Sequence, residues 1–406
     1  MLDRILIALA GVAQPGRNAA AARGAYERAV EAYFGTGTAL AFWKGRVALY
    51  AVLKAFGIGP GDEIIVPGYT CVMVPGPVLY LGARPVYVDI EPRFFVTPAQ
   101  AVAATISPRT KAILVQHTYG FAAPVQEIRA TADARGIPVI EDCCHTFGGR
   151  VNGRFLGTIG HAAFFSTQWN KPYSTGLGGL ALVNDAELAG RVRAEQAAYP
   201  PPSRAAAFML AAQLLVHELS VYPSTTALAT RLFRWLSRHG LVVGSSSRAE
   251  FEPVMPAGYL RTAAAVQCRL GCREVARIAA NMACRKRATE FYRAELPRLG
   301  FELPATPPHW DTPLLRFPVR VANKAAALAE AARYSVEIGS WFECPLHPIE
   351  TDQAAFGYRA GMCPVAERAA AEVINLPTHR RVGPRDLQRT LDFVQKVCRP
   401  ADTADH

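Results

Sequence analysis

The sequence predicts an α/β fold: a large domain on a mostly parallel central sheet with helices on both faces, and a smaller C-terminal α+β domain. Three observations carry this. Short apolar runs alternate with helical stretches through the first half of the chain, and uninterrupted apolar strands belong to sheets buried on both faces. With 406 residues at 50% hydrophobic content, the chain has apolar surface for a large core and a second one. From Arg261 onward, helices are again interspersed with strands, enough for a separate small unit.

In order, the apolar stretch 5–13 is short for a bilayer span, and Asp3 cancels Arg4, which makes a poor signal peptide; it reads as a short amphipathic helix. Residues 24–34 carry Tyr26, Val30 and Tyr33 on one helical face and complete an N-terminal arm, 1–34. A helix over 46–56 ends at Gly57. Its glycine turn, Gly45-Arg46, is either an ordinary cap or a phosphate site, because backbone N–H groups at a helix start lack partners. Strands follow over 63–67, 85–90, 110–117 and 138–142, with helices over 69–81 and 125–135 between them. Two more strands, 162–166 and 179–183, flank Lys171.

Residues 199–250 form a helical insertion. Within it, 205–222 is almost wholly apolar, and 226–239 sets Arg231, Arg234 and Arg238 against leucines and aromatics. Such a pair either packs on its own chain or a dimer mate, or rests on anionic lipid. The large domain is assigned to 1–260 and the small one to 261–406, with a long helix over 262–296, a strand at 314–321, a helix over 324–334, an extended 335–339 and a closing helix at 384–397.

The net charge of +11 favours anionic partners. Nucleic acid is excluded, since no Lys/Arg run is interleaved with aromatics and no zinc-finger or helix-turn-helix pattern occurs. Charged residues are 19%, which excludes a disordered chain. Nine cysteines without framework spacing indicate reduced thiols in a cytoplasmic protein, and isolated histidines with no Cys-x-x-Cys offer no metal site.

In parallel sheets ligands bind beyond the carboxyl ends of the strands. His117, Asp142, Ser166 and Lys171 all fall at strand ends or just after them. Lys171 stands among hydroxyls, an aromatic and glycines, where burial turns a lysine into a nucleophile; the other reading is a solvated loop lysine. Asp142 either holds a pyridine nitrogen protonated or caps the next helix. Carboxylate, strand, then lysine is the order expected of a pyridoxal 5'-phosphate site.

Here the chain resembles the fold type I, pyridoxal-phosphate-dependent sugar-nucleotide aminotransferases of the DegT/StrS group. The resemblance rests on the passage 57–67, the strand 79–89, His117-Thr-Tyr-Gly120, Ile140-Glu-Asp142, the span from Phe165-Ser166 through Lys171 to Gly178-Gly179, Pro345-Leu-His347, 363–368 and Asn375-Leu-Pro377. It implies that Lys171 forms the imine with the cofactor, Asp142 pairs with the pyridine nitrogen, His145 contacts the cofactor near its phenolic oxygen, and Ser166 with the Gly45-Arg46 turn binds phosphate. His347 is placed near the sugar, and His117 and Tyr173 are further substrate-binding candidates. An amino acid, glutamate first, is the implied donor, a nucleotide-linked keto-sugar the acceptor, and a homodimer the assembly. Lysine rather than histidine at 171 favours transamination over dehydration.

The chain departs from the family pattern in three ways. Arg46 replaces a small hydroxyl. Cys71 stands where relatives place an aromatic against the cofactor ring. Tyr259 and Leu260 precede Arg261 where an asparagine reaching the partner is usual. Gly37-Thr38 mimics the phosphate turn but precedes the strand that should come before it. The alternatives are an aminotransferase presented to a lipid-linked ketone by the 199–250 insertion, and a non-catalytic regulator that keeps the fold.

Overall fold

The protein is described here by a computed structural model of residues 2–14, 16–220, 244, 246, 248–331, 333–348 and 350–401. Segment 226–239, the expected basic amphipathic helix, lies outside the described residues.

The chain opens with helices α1 (Leu2–Ala13) and α2 (Ala19–Phe34), strand β1 (Thr38–Phe42) and helix α3 (Gly45–Ala55). Then come β2 (Glu63–Pro67), β3 (Thr70–Cys71), α4 (Pro75–Tyr80), β4 (Arg84–Val88), α5 (Ala99–Thr105), β5 (Thr110–Gln116), α6 (Val125–Asp133) and β6 (Val139–Asp142). A hairpin, β7 (Arg150–Val151) and β8 (Arg154–Phe155), leads to β9 (Ala162–Ser166), β10 (Gly179–Val183), α7 (Ala186–Ala198) and α8 (Arg204–Ser220). The remainder holds α9 (Ala265–Ala276), α10 (Ile278–Glu295), β11 (Trp310–Asp311), β12 (Arg316–Arg320), α11 (Lys324–Ala331), β13 (Leu346–His347), α12 (Pro364–Glu372), β14 (Val373–Pro377) and α13 (Pro384–Val397).

Seven strands form one sheet in the order β1-β10-β9-β6-β5-β2-β4, in which only β10 runs against its neighbours. Successive strand residues point to opposite faces, and here both sets are apolar. Phe42, Val66, Leu114, Ile140 and Phe164 pack with Val47 and Leu53 of α3 and Val192 of α7. Ala41, Ile65, Val115, Val139 and Phe165 pack on the other side with Tyr26, Val30 and Phe34 of α2 and Ile128 of α6. Burying one such large side chain is worth about 1.5–3 kcal/mol, so both faces hold the helices against the sheet. The mostly parallel, doubly covered sheet matches the expectation, and it brings Phe42, Asp142 and Ser166 to one end.

The expected helix over 69–81 is shorter. Thr70 and Cys71 instead pair in parallel with Leu346 and His347, and the helix starts at Pro75. Pro75 and Pro77 have no N–H to give to a preceding turn, so proline is tolerated only at a helix start. The expected helix over 262–296 is two helices meeting at Arg277 (φ −112°, ψ 8°), with no glycine or proline to mark the break. It also starts later: Thr262 is drawn into a bridge with Phe42, and Gln267 Oε1 accepts the Ala264 N–H at 2.7 Å to open α9. Residues 335–339 supply one bridge, Gly339 to Asn375, while the partner of β12 is β14.

α8 docks through Leu210, Ala211 and Leu214, packed with Ala8 of α1, Leu177 and Leu270 of α9. Arg4 reaches Glu218 of α8 and Glu274 of α9 at 2.8 Å each, all three side chains being at most 4% exposed. The Nε contact to Glu218 is an ion pair rather than an aligned hydrogen bond. Removing one partner of a buried pair costs about 3–5 kcal/mol. Because Arg381 and Arg273 also approach these carboxylates, Arg4→Met is expected to cost about 3 kcal/mol, at the low end. It is read as a lower urea midpoint with unchanged slope; an unchanged midpoint would mean that α1 contributes nothing through this cluster. Burial opposes the charge of Glu218, but His217 and the arginines outweigh it and bring its carboxyl down to about 2. That depressed value contributes stability above the unfolded carboxylate range, and the contribution is lost as pH falls toward about 2.

Candidate active site

The β1–α3 turn lies across the start of β10. A Cβ on Gly179 would stand 2.3 Å from the Gly45 nitrogen and the Lys44 carbonyl carbon, so only glycine permits the crossing. The same approach sets Gly45 against Ser166: a Cβ at 45 would meet the Ser166 Cβ at 3.1 Å and the Phe165 carbonyl oxygen at 3.0 Å. No side chain caps the start of α3, which leaves its first turn able to offer N–H groups to an anion. Gly45-Arg46, not Gly37-Thr38, follows β1. Gly179→Ala is expected to cost about 1–3 kcal/mol through overpacking and to lower phosphate affinity at the turn, measured by equilibrium dialysis; unaltered stability and affinity would show that the turn relaxes freely.

Asp142 ends β6, buried at 4% exposure. Its Oδ1 accepts the Cys144 N–H at 2.9 Å. Burial pushes its carboxyl above the ordinary value, against the pull of that amide and of Lys171, whose charge it feels. Lys171 lies in the β9–β10 connection with its Nζ 4.7 Å from the centre of the Trp341 ring. The loop is held from behind by Arg285, which donates to the Lys171 and Pro172 carbonyls at 3.4 and 3.3 Å.

His145 is buried and stacks on Trp341, ring centroids 5.4 Å apart at 16°. Its Nδ1 accepts the Tyr119 N–H at 3.1 Å. Burial, with Lys171 and Arg316 nearby, pushes its pKa well below the ordinary range. The ring is therefore neutral with its proton on Nε2, a donor rather than a base on that side. Cys71 faces the same space, within the influence of Arg46, Lys171 and Asp142. Burial pushes the thiols of Cys71 and Cys144 up, so both are small neutral walls and not thiolate nucleophiles at neutral pH. His347, Cα partner of Cys71 across the two-residue ladder, packs beside Trp341 and Phe342, and burial brings it down to about 4.

Three expected site residues are placed differently. His117 is fully buried, its Nε2 3.0 Å from Glu141 Oε2 and its Nδ1 accepting the Ala123 N–H, so neither nitrogen is open to a substrate. Glu141 also accepts the amides of Gly157, Ile159 and Gly160; burial opposes its charge, but His117 and these amides hold its carboxyl below the usual range. Cys143 completes a group with ligand atoms within 4.8 Å, yet these bonds account for Glu141 without a metal. Tyr173 is also interior, its hydroxyl 2.5 Å from that of Tyr26 and its ring edge-on to Phe147. Arg46 is engaged: it pairs with Glu250 at 3.0 Å and donates to Ser246 Oγ at 3.2 Å, while Lys44 reaches the same Glu250 at 2.9 Å. Lys44 is brought down to about 8 by burial and by Arg46. Lys44 and Arg46 thus share the one carboxylate of Glu250.

Trp341, Phe342 and Arg316 lie outside the motif order, yet the fold sets the Lys171 Nζ and the Arg316 guanidinium over the Trp341 ring and stacks Trp341 and Phe342 on His145. The only sequence hint was the aromatic pair four residues ahead of Pro345.

The site therefore joins an amine, a buried carboxylate, a neutral imidazole donor and an uncapped helix start. The chain matches the DegT/DnrJ/EryC1/StrS aminotransferase family over residues 18–395. A UDP-N-acetyl-3-dehydro-alpha-D-glucosamine 3-aminotransferase of Acidithiobacillus ferrooxidans is 29% identical over 355 residues, 87% of this chain and 82% of the relative. A UDP-2-acetamido-2-deoxy-3-oxo-D-glucuronate aminotransferase of Pseudomonas aeruginosa is 30% identical over 339 residues, 82% of this chain and 79% of the relative. A DegT/DnrJ/EryC1/StrS aminotransferase structure from Brucella abortus has TM-score 0.74 at 22% identity, over 97% of this chain and 95% of that one, a likeness of fold. With the match running through every motif from the phosphate turn to the C-terminal strands, the chain belongs to the DegT/DnrJ/EryC1/StrS aminotransferase family.

Proposed function

We infer that this protein is a pyridoxal-phosphate-dependent aminotransferase that moves an amino group from an amino acid, glutamate first, to a keto-sugar carried on a nucleotide. The observation that carries the reading is the convergence of Asp142, Lys171 and the Gly45–Ser166 approach at one end of the sheet. The residues present fit the cofactor: a buried carboxylate for a pyridinium, an amine for an aldehyde, a neutral Nε2–H donor for a phenolate and an uncapped helix start for phosphate. When bound, pyridoxal phosphate supplies a carbonyl that captures amines and a ring that delocalises the electrons of the substrate carbon.

The protein's own groups do the rest. Lys171 Nζ would hold the cofactor's carbonyl carbon and, when free, would move a proton between the donor's α-carbon and that carbon. Asp142 keeps a positive charge opposite it, which stabilises charge developing at the reacting carbon. Trp341 and Phe342 wall off water on the side of His145. His347 offers a neutral imidazole to a sugar hydroxyl. Residues 1–406 carry a net charge of +11, which suits a diphosphate-bearing acceptor.

The test is spectroscopic. Protein loaded with pyridoxal phosphate shows the long-wavelength band of a lysine-bound cofactor, loses it on adding glutamate or another amino donor, and regains it with one member of a panel of nucleotide keto-sugars. A protein that binds no pyridoxal phosphate would return the reading to a non-catalytic regulator. A cytoplasmic homodimer goes with this reading; all nine cysteines are free thiols, as a reducing compartment requires.

A second reading, a membrane-associated acceptor, is favoured by one observation: Phe208, Val216 and Leu219 of α8 and Leu2, Leu6 and Leu9 of α1 are 43–67% exposed. No helix of the described residues is long and apolar enough to cross a membrane, so contact would be peripheral. Co-sedimentation with anionic liposomes that is lost in a Phe208→Ser, Val216→Ser, Leu219→Ser variant supports it; no sedimentation of the intact protein rejects it.

A further inference from the structure

The loop that carries Lys171 has little rigidity of its own. Its neck is pinched where the Thr175 N–H donates to the Thr167 carbonyl at 2.8 Å and the Thr167 N–H to the Gly178 carbonyl at 3.0 Å. Within it, Gly176 and Gly178 stand at positive φ, 83° and 149°. Glycine adds backbone freedom and no side chain to pack, so the place of Lys171 depends on what the loop rests against. On one flank that is α10, where Arg285 and Asn281 donate to the Pro172 carbonyl at 3.3 and 2.7 Å.

The other flank is α8, the first helix of the 199–250 insertion. Ala207, Leu210, Ala211 and Leu214 fall on one stripe of that helix and are at most 5% exposed. Gly176 lies directly on this stripe: a Cβ there would stand 2.9 Å from Leu210 Cδ1 and 3.1 Å from Leu214 Cδ2. One turn on, the His217 ring lies on the indole of Trp169, centroids 4.8 Å apart at 39°. α1 closes the same flank through Arg4, which donates to the Ser174 carbonyl at 3.4 Å and pairs with Glu218 of α8. The apolar cluster of Leu210 and Leu214 also takes in Leu177 and Trp43, which leads into the Gly45 turn. One small core therefore stands behind both the lysine loop and the phosphate turn.

We propose that α8 is a positioning element of the site: Leu210, Leu214 and His217 act through Gly176 and Trp169 to hold Lys171 in register with Asp142 and the Gly45 turn. The proposal rests on the aminotransferase reading above. The contacts fall on both sides of Lys171 in the chain, at Trp169 before it and at Ser174 and Gly176 after it, so α8 and α1 grip the loop at its two ends. The Lys171 amine must meet a single carbon, and a misplacement of about 1 Å by a change far from the chemistry can cost about 100-fold in rate. The insertion thereby has a task inside the protein. One stripe of α8 backs the lysine loop, while Phe208, Val216 and Leu219 occupy another face.

The experiment uses the full chain, first without cofactor and then loaded with pyridoxal phosphate, in Leu214→Ala, Leu214→Met, His217→Ala and His217→Phe variants. Ile128→Ala, which truncates an equally buried side chain of α6, is the control. In the cofactor-free protein, Leu214→Ala is expected to speed amide exchange at Lys171 and Thr175 by at least about tenfold, with the amides of β2 unchanged; Ile128→Ala leaves the loop amides alone. In the loaded protein, Leu214→Ala lowers kcat by about 10–100-fold with KM for L-glutamate unchanged, and moves the pH at which the band of the lysine-bound cofactor fades. His217→Ala gives the same pattern more weakly. Leu214→Met, which refills the space, and His217→Phe, which keeps a ring on Trp169, recover most of the loss. A Leu214→Ala variant whose urea midpoint falls as in Ile128→Ala, but whose kcat and band keep their wild-type behaviour, would make α8 a packing element only and overturn the proposal. Should Leu214→Ala fail to fold, His217→Ala, at a side chain 27% exposed, carries the same comparison. If the protein binds no pyridoxal phosphate while the loop amides respond as expected, the hold of α8 on the loop stands and the aminotransferase reading falls. Normal turnover with indifferent α8 variants gives the reverse.

Discussion

Lys171→Ala is expected to keep the fold and to lose aminotransfer by on the order of 10^4-fold, since it removes both the amine that captures the cofactor and the base that moves the substrate proton. The backbone of this loop does not depend on the side chain: Arg285 holds the carbonyls of Lys171 and Pro172, and the Lys171 N–H donates to the Gln168 carbonyl at 3.1 Å. Thermal midpoint and circular dichroism should therefore be unchanged. The variant should bind pyridoxal phosphate without the long-wavelength band, and small primary amines added to it should restore part of the half-reaction rate. Retained turnover within tenfold of wild type would place the chemistry on another amine.

Asp142→Asn comes next in size, with an expected loss on the order of 10^2–10^3-fold, typical of deleting one preorganised charge at a reacting centre. The substitution is close to isosteric, and an asparagine oxygen can still accept the Cys144 N–H that Asp142 accepts at 2.9 Å. What it removes is the negative charge. In the protein alone, burial raises this carboxyl above its ordinary value, with the Cys144 amide and Lys171 pulling the other way; a cation bound opposite would strengthen that pull. The signature is thus a lower rate together with weaker cofactor retention on dialysis. Full activity within threefold would mean that Asp142 only caps the following turn.

Much of the large unit could be read from the chain because its strands are short apolar runs with both faces buried, a pattern that survives without knowledge of partners. Asp142, Ser166 and Gly45 could be singled out for a related reason: each sits at a strand end or a helix start on one end of the sheet, with His145 and Lys171 in the loops that follow β6 and β9. His117 and Tyr173, expected at the substrate, turn into the interior instead, because neither a strand end nor a place in a loop says which way a side chain turns. Glu141 and Asp142 are neighbours, yet one pairs with His117 in the interior and the other faces Lys171. Arg46 was legible as a departure, but its partner Glu250 is about two hundred residues away in a part of the chain with no periodic pattern. Trp341 and Arg316 escaped for the same physical reason: they lie in separate segments that only tertiary packing unites.

The two-residue ladder between Thr70–Cys71 and Leu346–His347 bears on how the molecule moves. Thr70 N–H donates to the Pro345 carbonyl and Val72 N–H to the His347 carbonyl, both at 2.9 Å. A clamshell that opens by rotating one unit about the other needs its hinge free of such cross-links; here the rivet sits beside the chemistry. Wide swinging would break these bonds and drag Cys71 out of register with His347. Amide exchange at Thr70 and Val72 should therefore stay slow whether or not the site is filled.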